Sequence, residues 1–243
     1  KDYYSLLDEI QLLDNFVLAL NGLLSHDNFD IYVTGSNSKM LSKDVITEFR
    51  GRGDQIHIYP LSFKEFYDSS NLSFEDAYLE YQYYGGMPYL INLNSDERKQ
   101  EYLKQLFSEI YIKDITERNG IKDIESFEKL LCVLSSSIGS YTNPTNLEKT
   151  FKSVENVVYG HVAIKNHIEY IKDAFLISEA KRYDIRGKKY IGSNSKYYFT
   201  DIGLRNALIN FRQNAPTHIM ENIIYNELLC RGYSVDVGIV EIN

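Results

Sequence analysis

Tyr3-Tyr4-Ser5-Leu6-Leu7-Asp8-Glu9 is the stretch that decides the fold, a short apolar run that stops abruptly at two acids. Such a run reads as a strand buried in a parallel sheet, with Asp8 and Glu9 at its carboxyl end. Residues 11–25 follow as a helix, with Leu12, Leu13, Phe16, Leu20, Leu23 and Leu24 near the 3.6-residue period. Asp30-Ile31-Tyr32-Val33-Thr34 is a second strand and runs straight into the polar turn Gly35-Ser36-Asn37-Ser38-Lys39. Strand, helix, strand implies a parallel α/β sheet, and ligands of such sheets gather outside the carboxyl ends of the strands.

An acid pair at that edge suits phosphoryl transfer, where one carboxylate (Asp8) holds Mg2+ and the other (Glu9) polarises a water. The plainer alternative is a strand that simply ends in solvated acids. Ser36 or Asn37 stands where a small polar group senses a γ-phosphate, or equally where a residue caps the next helix. Arg50 and Arg52, in Phe49-Arg50-Gly51-Arg52-Gly53, are either surface charge or groups that reach a neighbouring subunit's phosphates.

Further along, Gln55 to Tyr59 reads as a short strand closed by Pro60, and Ser62 with Glu65 makes a capping pattern for a helix. Helices are expected at 62–69, 73–84 and 95–118, with the turn Gly85-Gly86-Met87-Pro88 between the last two. From residue 124 the pattern is helix (124–138), helix (144–152), helix (157–175), then strands at 176–183 and 189–200. Three helices and a hairpin are the order of a winged helix-turn-helix. Met220 to Cys230 reads as a helix leading into a strand from Tyr233 to Val240. The fold class is therefore α/β plus α+β.

With 243 residues, 44% of them hydrophobic, a disordered chain is excluded. Twenty-six Lys and Arg against 34 Asp and Glu leave a net charge of −8, which excludes a surface that coats nucleic acid or membrane as a whole. Against that background, residues 181–196 stand out. Lys181, Arg182, Arg186, Lys188, Lys189 and Lys196 meet one acid, Asp184, on the expected wing, a patch suited to duplex DNA. On the preceding helix Ile164, Ile168, Ile171 and Phe175 mark the buried stripe, leaving Lys165, Asn166, Glu169 and Asp173 outward. The acids among these would oppose phosphates. His161 and His167, six residues apart, do not make a metal pair. Cys132 and Cys230 suggest neither a disulfide framework nor a metal cage, and no run of about 20 apolar residues or signal peptide is read. A soluble cytoplasmic protein without a membrane partner is expected.

Taken together, Leu6-Leu7-Asp8-Glu9-Ile10-Gln11, Thr34-Gly35-Ser36-Asn37-Ser38-Lys39, Gly51-Arg52 and Tyr59-Pro60-Leu61-Ser62-Phe63-Lys64-Glu65-Phe66 resemble the prokaryotic AAA+ ATP-binding proteins that carry a C-terminal winged-helix region and a restriction-nuclease-like tail. Tyr84-Gly85-Gly86-Met87-Pro88 and Ser195-Lys196-Tyr197-Tyr198-Phe199-Thr200-Asp201-Ile202-Gly203-Leu204-Arg205 match the same family. The resemblance implies ATP and Mg2+ as cofactors and Asp8 and Glu9 as the Walker B pair. It also implies Ser36 or Asn37 as sensor 1, Arg52 (then Arg50) as arginine finger, and a homo-oligomer. It divides the chain into the end of a P-loop core (1–60), a helical lid (61–118), a winged helix (119–205) and the start of a nuclease-like module (206–243), with Glu221 on that module's first helix or equally a solvated helix residue.

One departure matters. The chain nowhere contains Gly-x-x-x-x-Gly-Lys-Ser/Thr, whose backbone amides cradle phosphates, and the resemblance places that loop upstream of Lys1. The chain therefore reads as an internal fragment that does not bind ATP tightly alone. Two other functions fit the pattern, a non-enzymatic winged-helix DNA-binding regulator and a protein-interaction scaffold that presents helices 73–118.

Overall fold

The computed structural model describes residues 2–36, 53–155, 159–185, 189–212 and 215–239. It divides into two compact units, 1–57 with 173–175, and 58–172 with 176–243.

In the first unit β1 (Tyr3–Leu7) and β2 (Phe29–Val33) pair in parallel, in the register Tyr3↔Phe29 through Leu7↔Val33. Tyr4, Leu6 and Tyr32 share one face and are 73%, 78% and 54% exposed, whereas Ser5, Leu7, Phe29 and Ile31 on the other face are half-buried. The connecting helix is shorter than the apolar period suggests. Residues Ile10–Leu12 form a single 3-10 turn, and α1 spans Phe16–Leu24. The interruption lies in the backbone: Asn15 adopts a left-handed conformation (φ 56°), which asparagine tolerates and which ends any helix entering from residue 11. Residues 53–59 carry no regular structure, so the expected strand at 55–59 does not form, and Ile56 is 81% exposed.

The second unit opens with α2 (Phe63–Ser69). Its capping box is complete, with the Glu65 amide donating to Ser62 Oγ (3.3 Å) and the Ser62 amide to Glu65 Oε2 (2.9 Å). Then come α3 (Phe74–Tyr84), capped by Ser73, a 3-10 turn (Pro88–Asn92), and α4 (Asp96–Gln105). A π-helical turn (Leu106–Ile112) joins α4 to α5 (Lys113–Asn119), and left-handed Gly120 stops the run. The next helices are α6 (Ile124–Ser136), α7 (Pro144–Thr150) and α8 (His161–Asp173). Phe127, Leu130, Leu131 and Leu134 of α6 and Ile164, Ile168 and Ile171 of α8 are buried, the stripe expected of α8 apart from Phe175. Phe175 lies past the helix end with φ 56°, where the backbone no longer follows the helical period.

An antiparallel pair, β3 (Ile177–Asp184) and β4 (Lys189–Phe199), follows in the register Ile177↔Phe199. Thr142, between α6 and α7, bridges to Ser195 of β4. After α9 (Ile202–Leu208) and α10 (Pro216–Cys230), β5 (Val237–Ile239) adds in parallel to β3, giving the order β4-β3-β5. Tyr198 and Tyr225 stack at 4.2 Å beneath this sheet, with Ala180 in the same cluster.

The two motifs left over by the α/β reading meet at the start of α9. Asp201, 3% exposed, caps α9 by accepting from Leu204 N (3.0 Å) and also accepts from Gly86 N (2.7 Å) and the Gly203 amide. Gly85 turns there with φ 77°, and a Cβ on Gly203 would lie 1.8 Å from Tyr84 O, so the chain can close this tightly only without side chains. Asn206 Nδ2 donates to the carbonyls of Gln82 (3.1 Å) and Tyr83 (2.9 Å), and fully buried Arg205 donates through Nε to Ser135 O (2.8 Å). Burial pushes the Asp201 carboxyl up to about 6, against three backbone amides that pull it down, and brings the Arg205 guanidinium down to about 10.

Candidate functional site

Parallel pairing carries the ends of β1 and β2 to one edge. The Thr34 amide donates to Leu7 O (2.9 Å) and Thr34 O accepts from Ile10 N (3.1 Å), so the chain crosses residues 8 and 9 pinned on both sides. Asp8 is exposed and Glu9 half-buried. Glu9 has a left-handed backbone (φ 49°), a conformation that costs a non-glycine residue about 1–2 kcal/mol and that tends to persist at functional sites. Its amide donates to Thr34 Oγ1 (3.1 Å), the Thr34 hydroxyl donates to Asp8 Oδ1, and Ser36 Oγ donates to Glu9 Oε2 (3.0 Å). Asp8, Glu9 and Ser36 are thus brought together. Asn37, Arg50 and Arg52 lie outside the described residues.

Thr34 was not among the residues singled out by sequence. The signal was there: the register that pairs Leu7 with Val33 sets Asp8 opposite Thr34, a hydroxyl directly across from a carboxylate.

The chemistry of this edge fits Mg2+. That ion takes oxygen ligands, commonly one or two carboxylates completed by water and substrate phosphates, and two carboxylates beside a hydroxyl are such a set. Among the described residues no group of three or more His, Cys, Asp or Glu is arranged to hold a metal. His167 is half-buried against the Tyr159 hydroxyl and the Phe127 ring, and burial holds its pKa below the usual histidine range.

The basic segment is split by its surroundings. Lys181 is exposed. Arg182 lies over the Tyr141 ring, its guanidinium carbon 5.9 Å from the ring centroid. Lys196 is turned inward, its side chain 14% exposed, with Nζ 2.7 Å from Glu221 Oε1 and 5.3 Å from the same ring centroid. Arg186, Lys188 and the side chain of Lys189 fall outside the described residues. Glu221 also accepts from the Tyr198 hydroxyl (2.6 Å). Burial raises the Glu221 pKa, but the bonds from Lys196 and Tyr198 outweigh it and hold the carboxyl below its ordinary range.

Among the described residues no helix is long and apolar enough to cross a membrane. The family described as "AAA domain" matches residues 1–67, the parallel pair and its acidic edge included, so this region is similar to an AAA-type domain. The family described as "Domain of unknown function (DUF8612)" matches residues 75–215, more than half of the chain, and the chain belongs to that family. Relatives described as uncharacterized proteins occur in Haemophilus influenzae, 38% identical over 240 residues, and in Methanocaldococcus jannaschii, 32% identical over 243 residues. These matches take in 97% and 93% of this chain but 60% and 53% of the relatives, so the chain spans little more than half the length of the relatives it matches.

Proposed function

We propose that Asp8, Glu9 and Ser36 form the hydrolytic edge of an ATP hydrolase whose cycle rearranges the attached helical and β-hairpin region. The observation that carries this reading is the gathering of two carboxylates and a hydroxyl at the carboxyl edge of a parallel strand pair, inside the segment that matches the AAA domain. Mg-ATP, when bound, supplies the phosphoryl group and the charge-neutralising cation. Asp8 is the residue that would hold the cation. Glu9 accepts a hydrogen bond from the attacking water and so aims it, while Ser36 fixes the Glu9 carboxylate through Oε2. Asn37 beside Ser36 senses the terminal phosphate. Arg52, with Arg50 second, would serve a neighbouring copy's phosphates, which calls for a homo-oligomer as the working form. In the full-length protein Glu9→Gln should keep ATP binding and lower turnover by about 10²- to 10⁴-fold. Unchanged turnover removes Glu9 from the mechanism.

The part that rearranges is best read as a winged helix bound to duplex DNA, leading into a nuclease-like module that starts at α10. Support comes from the order α6, α7, α8, β3, β4, with the Thr142–Ser195 bridge tying the segment between α6 and α7 to the hairpin. Lys181 offers an exposed cation on β3, and the charges of Lys188 and Lys189, read from the sequence, would add to it. Lys196 and Arg182 contribute by supporting the hairpin from within. Reversing the charge of Lys188 and Lys189 should remove salt-sensitive duplex binding by the full-length protein. A full-length protein that binds no duplex at low salt leaves the region as a protein-contact module.

A further inference from the structure

Two of the three hydrogen bonds at the acidic edge meet at one hydroxyl, that of Thr34, which neither holds a cation nor touches a water in the reading above. A threonine hydroxyl has one proton to give and lone pairs to receive. Thr34 uses both on successive residues, giving its proton to Asp8 Oδ1 and receiving the Glu9 amide at 3.1 Å. Its main chain makes a second, independent pair of bonds, N–H to Leu7 O at 2.9 Å and C=O from Ile10 N at 3.1 Å. Four bonds from one residue therefore pin residues 7 to 10, and only the two through the hydroxyl reach the acids.

That division has a physical reason. Glu9 is held at φ 49°, a conformation its own side chain disfavours, so an outside bond must offset the cost. The main-chain bonds to Leu7 and Ile10 bracket the turn but do not themselves engage the Glu9 amide or the Asp8 carboxylate. The hydroxyl fixes both at once.

We infer that Thr34 is the positioning residue of the acidic edge, its hydroxyl setting the direction of the Asp8 carboxylate and the left-handed turn that presents Glu9. The inference deepens the ATP hydrolase reading and rests on it for its kinetic consequence, while its structural half stands without nucleotide. Outer partners of metal-holding carboxylates typically change metal affinity or activity by about 10- to 100-fold when removed.

The test compares Thr34→Val, which keeps the branched shape and loses the hydroxyl, with Thr34→Ser, which keeps the hydroxyl, in the full-length protein. Amide hydrogen exchange resolved at single residues is the first readout. In Thr34→Val the Glu9 amide should exchange about tenfold faster, while the Ile10 amide, whose acceptor is the untouched Thr34 carbonyl, keeps its protection. Thr34→Ser should leave both unchanged. The second readout is the Mg2+ concentration that half-saturates ATP turnover, which should rise about 10- to 100-fold in Thr34→Val and return close to normal in Thr34→Ser.

Unaltered Glu9 exchange in Thr34→Val overturns the inference, whatever the kinetics. Equal acceleration at Glu9 and Ile10 also overturns it, because that pattern marks general loosening of the strand end. If Glu9→Gln leaves turnover intact, Glu9 drops out of the mechanism, and if the unsubstituted full-length protein turns over no ATP, the hydrolase reading fails; in either case the exchange comparison still decides whether Thr34 positions the edge.

Discussion

Replacing Asp201 by alanine tests the junction that ties α9 to the turn after α3. The carboxylate is 3% exposed and accepts from Leu204 N at 3.0 Å, from Gly86 N at 2.7 Å and from the Gly203 amide. Losing a helix cap costs about 1 kcal/mol, and leaving the buried Gly86 amide without its acceptor adds about 1–3 kcal/mol, so Asp201→Ala should destabilise the chain by about 3 kcal/mol. A pH dependence follows from the raised carboxyl. Because the folded pKa of about 6 lies above the ordinary 3.8, the native state binds the proton more tightly than the unfolded chain. The contribution of Asp201 is then fully present below about pH 4 and declines as pH rises through about 6. The gap between wild type and Asp201→Ala should therefore be wider at pH 5 than at pH 7.5, by about 1 kcal/mol. Urea unfolding followed by far-ultraviolet circular dichroism at both pH values measures it. The exposed cap Ser95→Ala, whose hydroxyl accepts from Arg98 N at 3.4 Å, is the reference. A loss for Asp201→Ala no larger than for Ser95→Ala, or a gap that narrows at pH 5, would refute the reasoning.

Gly203→Ala puts a Cβ 1.8 Å from the Tyr84 carbonyl, a clash that only backbone movement relieves, and should cost about 3 kcal/mol or more, read as a lower urea midpoint. Lys196→Met keeps the stem of the side chain but strips Glu221 of its ammonium partner. Since the pair is 14% and 35% exposed, water screens part of the loss, and about 1–2 kcal/mol is expected at neutral pH. Glu221 titrates below its ordinary range, so this loss should be present at pH 7 and fade as acid protonates the carboxyl.

Where local chemistry decides structure, the sequence could be read directly. Ser62 and Glu65 announce their capping box, and the α8 stripe of Ile164, Ile168 and Ile171 is buried as its period implies. The misreadings share one cause, which is backbone geometry that apolar spacing does not encode. Leu12 and Leu13 keep the helical period yet are 81% and 51% exposed, because the left-handed residues Glu9 and Asn15 bracket them in a turn. Gln55 to Tyr59 alternates like a strand but carries no regular structure. At the candidate site Asp8 and Glu9 were legible as acids ending a strand, and their neighbour Ser36 as a polar turn residue. Thr34 was hidden because its role depends on register across two strands. Asp201 was hidden for a similar reason: its partner Gly86 is 115 residues away, and only the cap on Leu204 is local.

The outward side of the two-stranded sheet has a practical consequence. Among the described residues Tyr4, Leu6 and Tyr32 form an exposed apolar stripe beside Asp30, to which the Tyr32 hydroxyl donates at 3.0 Å. Water leaves such a stripe readily, so preparations of these 243 residues should self-associate more as salt and temperature rise. Light scattering during purification is then a readout of that surface, and Leu6→Lys a simple means of keeping the material dispersed.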